Sequence, residues 1–127
     1  MLKVLAVFAG GGLGASLRWL LALKLNPGLG EEPAFPSGTL VANLIGGFLI
    51  GLLMAAFIAR IDWPDEWRLL LVTGFLGGLT TFSAYSWEIV YFLAQGRYGL
   101  GFLSLSLQLG GSLGLTAVGL ALGRQFF

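Results

Sequence analysis

Four long apolar runs separated by short polar connections dominate the chain, at about 4–25, 38–59, 69–94 and 99–122. Each exceeds the roughly 20 residues a helix needs to cross about 30 Å of hydrocarbon. Charged positions gather at Lys24 to Glu32, Arg60 to Arg68, Arg97 and the two ends. Arg18 and Glu88 are the exceptions, lying within runs and away from these clusters. The pattern predicts an all-α membrane protein with four transmembrane helices in a single domain, 1–127. The first run is too long for a cleaved signal peptide and carries Arg18 in its second half, so it reads as a retained span.

The connections are short. "NPGLGEEPAFPS" (26–37) is rich in Pro and Gly and predicts an irregular loop. "RIDWPDEW" (60–67) predicts a tight charged turn, with Pro64 and the Asp65–Glu66 pair suited to starting a helix. "QGRY" (95–98) is shorter still. None can hold a soluble domain, so function belongs inside the spans. Trp19, Trp63, Trp67, Trp87, Tyr91 and Tyr98 lie mostly near span ends, where amphipathic rings settle at headgroup level.

The third run is interrupted by "GFLGGLTTFSAYSWE" (74–88). Gly77–Gly78 costs roughly 1 kcal/mol per glycine in helix propensity, and Thr80–Thr81 adds smaller penalties. Non-helical backbone at membrane depth persists only where it is buried in protein or lines a cavity. The reading is a helix broken near its middle, whose first half ends in exposed carbonyls able to hold a cation. Its second half begins with free N–H groups. The competing reading is a continuous helix with a tight Gly–Gly contact.

Small and polar residues recur at helical spacing, as close helix packing in lipid requires. The first span has Gly11, Gly14, Arg18 and Ala22; the second has Thr39, Asn43, Gly46, Gly47 and Gly51. An intramembrane arginine on a packing face is a candidate functional residue. Arg18 reads equally as a snorkelling anchor, and Asn43 equally as interhelical glue. In the fourth span Ser104, Gln108, Ser112 and Thr116 recur every four residues, a ladder of hydrogen-bonding groups on one side. It suits a polar pathway or, alternatively, packing glue.

Composition narrows the chemistry. The chain is 57% hydrophobic and 10% charged, against roughly 25% charged in soluble domains, and its mean hydropathy is +0.89. It has no cysteine and no histidine, which removes thiolate chemistry, disulfides and the commonest metal ligand and general base. A net charge of +1 provides no basic patch for nucleic acid. The spans hold no paired carboxylate and no nucleophile beside a base, so the expectation is not an enzyme. The intramembrane donors of Asn, Ser, Thr, Gln and Arg suit a small anion. Aromatic ring edges do too, and Phe82 and Tyr85, three apart, would share a helical face.

Charge also bears on orientation. Four spans place Lys3, Arg60, Arg68 and Arg124 on one side, and Lys24 and Arg97, with Arg18 if it snorkels, on the other. So weak a bias permits insertion both ways up and pairing of opposed copies, or a single fixed orientation.

Three stretches in order resemble the Fluc/CrcB fluoride channels: "GGGLGASLRW" (10–19), "GTLVANLIGGFLIG" (38–51) and "GFLGGLTTFSAYSWE". The resemblance covers the whole chain. It implies a dual-topology antiparallel homodimer in the cell (inner/plasma) membrane, exporting fluoride passively through two narrow pores. It implies that Asn43 donates to fluoride and Phe82 offers its ring edge. Family channels carry a second phenylalanine where this chain has Tyr85, and a threonine where it has Ala84. Gln108, Ser112 and Thr116, with Ser104, would form a polar track; Arg18 would sit at a vestibule and Glu88 would anchor the third helix. Main-chain carbonyls of Gly77 and Thr80 from both subunits would hold a central sodium ion. The alternative class is a proton-coupled exporter like the small multidrug resistance proteins, but those carry a glutamate in the first span and this chain has none there. A membrane scaffold is a further alternative, against which the broken span and the polar ladder argue.

Overall fold

The computed structural model describes residues 1–26 and 35–127. Most of the loop expected at 26–37 lies outside the described residues. Among the described residues four helical spans are long and apolar enough to cross a membrane. The first is α1 (Leu2–Leu25) and the second α2 (Ser37–Ala59). The third begins with α3 (Asp65–Arg68), widens into π-helical turns at Leu69–Leu76 and closes its first half with α4 (Gly77–Leu79). Thr80 (φ −84°, ψ 153°) and Thr81 (φ −149°, ψ 117°) then leave helical geometry. The span resumes as α5 (Phe82–Ala94), and α6 (Tyr98–Phe126) is the fourth.

The ends of these elements follow local chemistry. Pro64 precedes Asp65 and Glu66 in the first turn of α3, where acidic groups complement free N–H groups. Arg124 occupies the last turn of α6, against its free carbonyls. After α5 the Gly96 N–H reaches the Leu93 carbonyl (3.0 Å) and the Arg97 N–H the Phe92 carbonyl (2.9 Å). This C-terminal closure needs a left-handed residue, and Gly96 has φ +72°.

The bundle is two backbone-close pairs linked by the third span. In the first pair α1 lies on the π-helical turns and α4. A Cβ at Gly14 would overlap the Phe75 carbonyl and lie 2.8 Å from the Leu79 nitrogen. In the second pair α2 lies along α6, where a Cβ at Gly51 would overlap the Thr116 carbonyl. Lipid supplies little hydrophobic drive between helices, so such approach lets dispersion and polar contacts hold them together. Past Thr81 the third span changes partner, and α5 packs on α6. The interruption is therefore the point where one span is handed from α1 to α6.

At the centre, buried Ala42, Leu76 and Leu79 pack with Leu21, Leu49 and Phe75. Many large apolar side chains face outward, among them Phe8, Leu13, Trp19 and Leu113, as lipid-facing helices require. The Lys3–Asp65 ion pair (3.3 Å) joins the starts of α1 and α3, and both partners are exposed. A pair of this kind is worth about 0–1 kcal/mol.

Candidate functional site

The interruption of the third span is seated on α2. Asn43 Oδ1 accepts the Thr81 N–H (2.9 Å), and Asn43 Nδ2 donates to the Thr81 carbonyl (3.2 Å). Nδ2 also donates to Gln108 Oε1 (2.6 Å) on α6. One turn along α2, the Thr80 methyl carbon occupies the space a Cβ at Gly46 would need. Both non-helical residues thus rest on the second-span stripe.

The same rearrangement diverts two helical donors. A continuous helix would give the Thr81 N–H to the Gly77 carbonyl, but it goes to Asn43. It would give the Ala84 N–H to the Thr80 carbonyl, but that N–H goes to Thr81 Oγ1 (3.2 Å), which caps α5. The Gly77 and Thr80 carbonyls lose their ladder partners together. Thr80 itself returns its N–H and hydroxyl to the Leu76 carbonyl (2.9 and 2.8 Å). Arg18 Nε donates to the Gly78 carbonyl (3.1 Å), placing a cation at the negative end of the first half-helix. Arg18 is therefore tied to the interruption, whatever else it does.

Beside this seat lies a groove of about 440 Å³. It gathers Asn43, Gly77, Thr80, Phe82, Tyr85, Gln108 and Ser112 from three spans. Phe82 and Tyr85 meet with ring centroids 5.6 Å apart, tilted by 58°. Tyr85 is buried, whereas Phe82 at the start of α5 is 78% exposed.

The fourth-span ladder divides. Gln108 and Ser112 line the groove; Thr116 and Ser104 do not. Thr116 Oγ1 bonds the carbonyls of Gly47 (2.9 Å) and Ser112 (2.8 Å), which makes it glue between α2 and α6. Ser104 is fully buried, and its hydroxyl has no hydrogen-bond partner among the described residues. Glu88, outside the groove lining, accepts from Thr39 Oγ1 (2.6 Å) and, at 3.5 Å, from Gln108 Nε2. It joins α5 to α2 and α6. Thr39 carries no assigned role in the sequence beyond its place in the second-span stripe. It stands four positions before Asn43, but nothing in the sequence placed it opposite Glu88.

The chemistry available here is that of neutral dipoles and main-chain oxygens. Among the described residues no group of three His, Cys, Asp or Glu side chains is placed to hold a metal. Any cation at the interruption would meet carbonyl oxygens, the hard ligands that an alkali ion takes at half-helix ends. Gly77 is an exposed residue in the groove lining.

Comparison with known proteins comes to bear on this geometry. The family described as "CrcB-like protein, Camphor Resistance (CrcB)" matches residues 5–120. The protein called "Fluoride-specific ion channel FluC" of Burkholderia ambifaria (strain MC40-6) is 51% identical over 125 residues, covering 98% of this chain and 95% of the relative. The protein of that name from Burkholderia lata is 51% identical over 124 residues, with 98% and 94% covered. A third, from Burkholderia thailandensis, is 50% identical over 124 residues, with the same coverage.

Proposed function

The chain belongs to the CrcB-like family, and from that premise we propose that it is a fluoride-selective channel, not an enzyme, exporting the ion passively across the cell's inner membrane. The observation that carries this reading is the groove, which brings Asn43, Phe82, Tyr85, Gln108 and Ser112 together with no basic side chain lining it among the described residues. Amide and hydroxyl donors and a positive ring edge can replace hydration water around a small anion. A fixed cationic partner would hold the ion too firmly to let it leave. The Asn43 hydrogen given to Gln108 Oε1 is the one an ion can take, with the Gln108 carbonyl displaced. Arg18 draws anions toward the membrane-depth end of the path, and Glu88 holds α5 in place.

The functional unit is an antiparallel homodimer. A single chain leaves Phe82 largely uncovered and its groove open on one side, which supports a second copy completing the wall. The Gly77 and Thr80 carbonyls supply two oxygens per chain, and those of two chains together would hold a structural sodium ion. That ion would neutralise the converging half-helix ends. A C-terminal reporter tag is expected on both sides of the membrane in comparable amounts; a one-sided result excludes the antiparallel pair.

For the ion, efflux from liposomes holding the purified protein is decisive: fluoride is expected to leave while chloride is retained. The proton-coupled exporter is not favoured, because α1 carries no acidic residue.

A further inference from the structure

We infer that Asn43 is a positioning residue whose side-chain amide braces the interruption of the third span, seating Thr81 on α2. An interrupted helix at membrane depth exposes N–H and C=O groups that lipid cannot satisfy. Thr81 presents one of each, and a single amide side chain answers both: Oδ1 accepts the N–H at 2.9 Å and Nδ2 donates to the carbonyl at 3.2 Å. A primary amide side chain both accepts and donates through one planar group without change of protonation, and asparagine supplies it here. Aspartate would accept but not donate, and leucine would do neither.

A second contact points the same way. The Thr80 methyl sits where Gly46 has no side chain, three residues after Asn43 on the same face of α2. Asn43 and Gly46 together form a socket for the two non-helical residues. The brace also explains the diverted donor: by taking the Thr81 N–H, Asn43 keeps the Gly77 carbonyl out of the helical ladder. A helix re-formed through Thr81 would reclaim that bond and carry Phe82 off its present bearing. Asn43 thereby sets the place of the ring at the groove.

This inference rests on the geometry of one chain and not on which ion passes, so it stands or falls apart from the fluoride assignment. The test is amide hydrogen exchange, read residue by residue by NMR on the native protein in nanodiscs and on variants. In the native protein the Thr81 amide is expected to exchange slowly, like a helical interior amide, although it lies in extended backbone. Fast exchange at Thr81 overturns the brace without need of any variant. In Asn43→Leu, Thr81 exchange should rise by about tenfold or more, with the rise confined to the residues around the interruption. In Asn43→Asp the retained acceptor should keep Thr81 slow. Ser112→Ala, which removes none of the hydrogen bonds that hold Thr81, should leave it as in the native protein. Unchanged exchange in Asn43→Leu overturns the inference and leaves Asn43 as a donor to the groove alone.

Discussion

Phe82→Ile is expected to reduce fluoride flux by about a hundredfold or more, equivalent to losing about 2.7 kcal/mol of barrier stabilisation, while the protein still assembles. The ring is 78% exposed in the single chain, so its loss removes almost no packing within the fold. Isoleucine is apolar and bulky, and it can stand at the same place on α5. What it lacks is the positive rim of an aromatic ring. The ring lines the groove together with Asn43, Gln108 and Ser112, and among the described residues no basic side chain lines it that could stand in for the rim. Size-exclusion chromatography should give the native elution volume, and the fluoride electrode should record little efflux. Unimpaired flux would take Phe82 out of the ion path. A collapsed chromatogram would show the ring to be structural.

The second large effect concerns folding. Gly51→Val is expected to prevent recovery of a monodisperse protein, because the added Cβ would overlap the Thr116 carbonyl and lie 2.7 Å from the Leu120 nitrogen. Both obstacles are backbone, so no rotamer change relieves them. The α2–α6 pair would have to separate along its length, at a cost of about 3 kcal/mol or more. Separation also breaks the bond from Thr116 Oγ1 to the Gly47 carbonyl. Gly99→Val is the matched control: the propensity change is similar, but nothing lies within 4 Å of the new Cβ. It should behave as the native protein in thermal melts. Equal behaviour of the two variants would contradict the backbone-close pairing of α2 and α6.

Much of the architecture was legible because lipid imposes a simple rule. Runs of apolar residues longer than a bilayer is thick have few alternatives to spanning it. The interruption was legible in kind but less so in place. The glycine pair drew attention as the weak point, yet Gly77 and Gly78 are helical. Gly78 lacks a side chain because the α1 backbone at Gly11 and Ala15 lies against it. The chain departs from helix at Thr80 and Thr81, where α2 offers Gly46 and Asn43 as a socket. Spacing within one span cannot reveal that match across two spans.

The ladder on α6 teaches the same lesson. A four-residue repeat places Ser104, Gln108, Ser112 and Thr116 on one side of a helix, but that side meets different neighbours along its length. Near Thr116 it meets the glycines of α2, and at Gln108 and Ser112 it opens on the groove. At Ser104 it is fully buried. Periodicity gives a face; what covers the face is a tertiary fact. Glu88 was visible as a lone intramembrane carboxylate, whereas its shortest partner, Thr39, emerged only once α2 and α5 were side by side.

The proposed function requires that this groove conduct fluoride and discriminate against larger halides. Fluoride and chloride electrodes on one liposome preparation, loaded with both salts, test it most directly. Rapid protein-dependent fluoride efflux is expected, with chloride held at the level of protein-free vesicles. Chloride leaving as fast as fluoride, or fluoride staying inside, would contradict it.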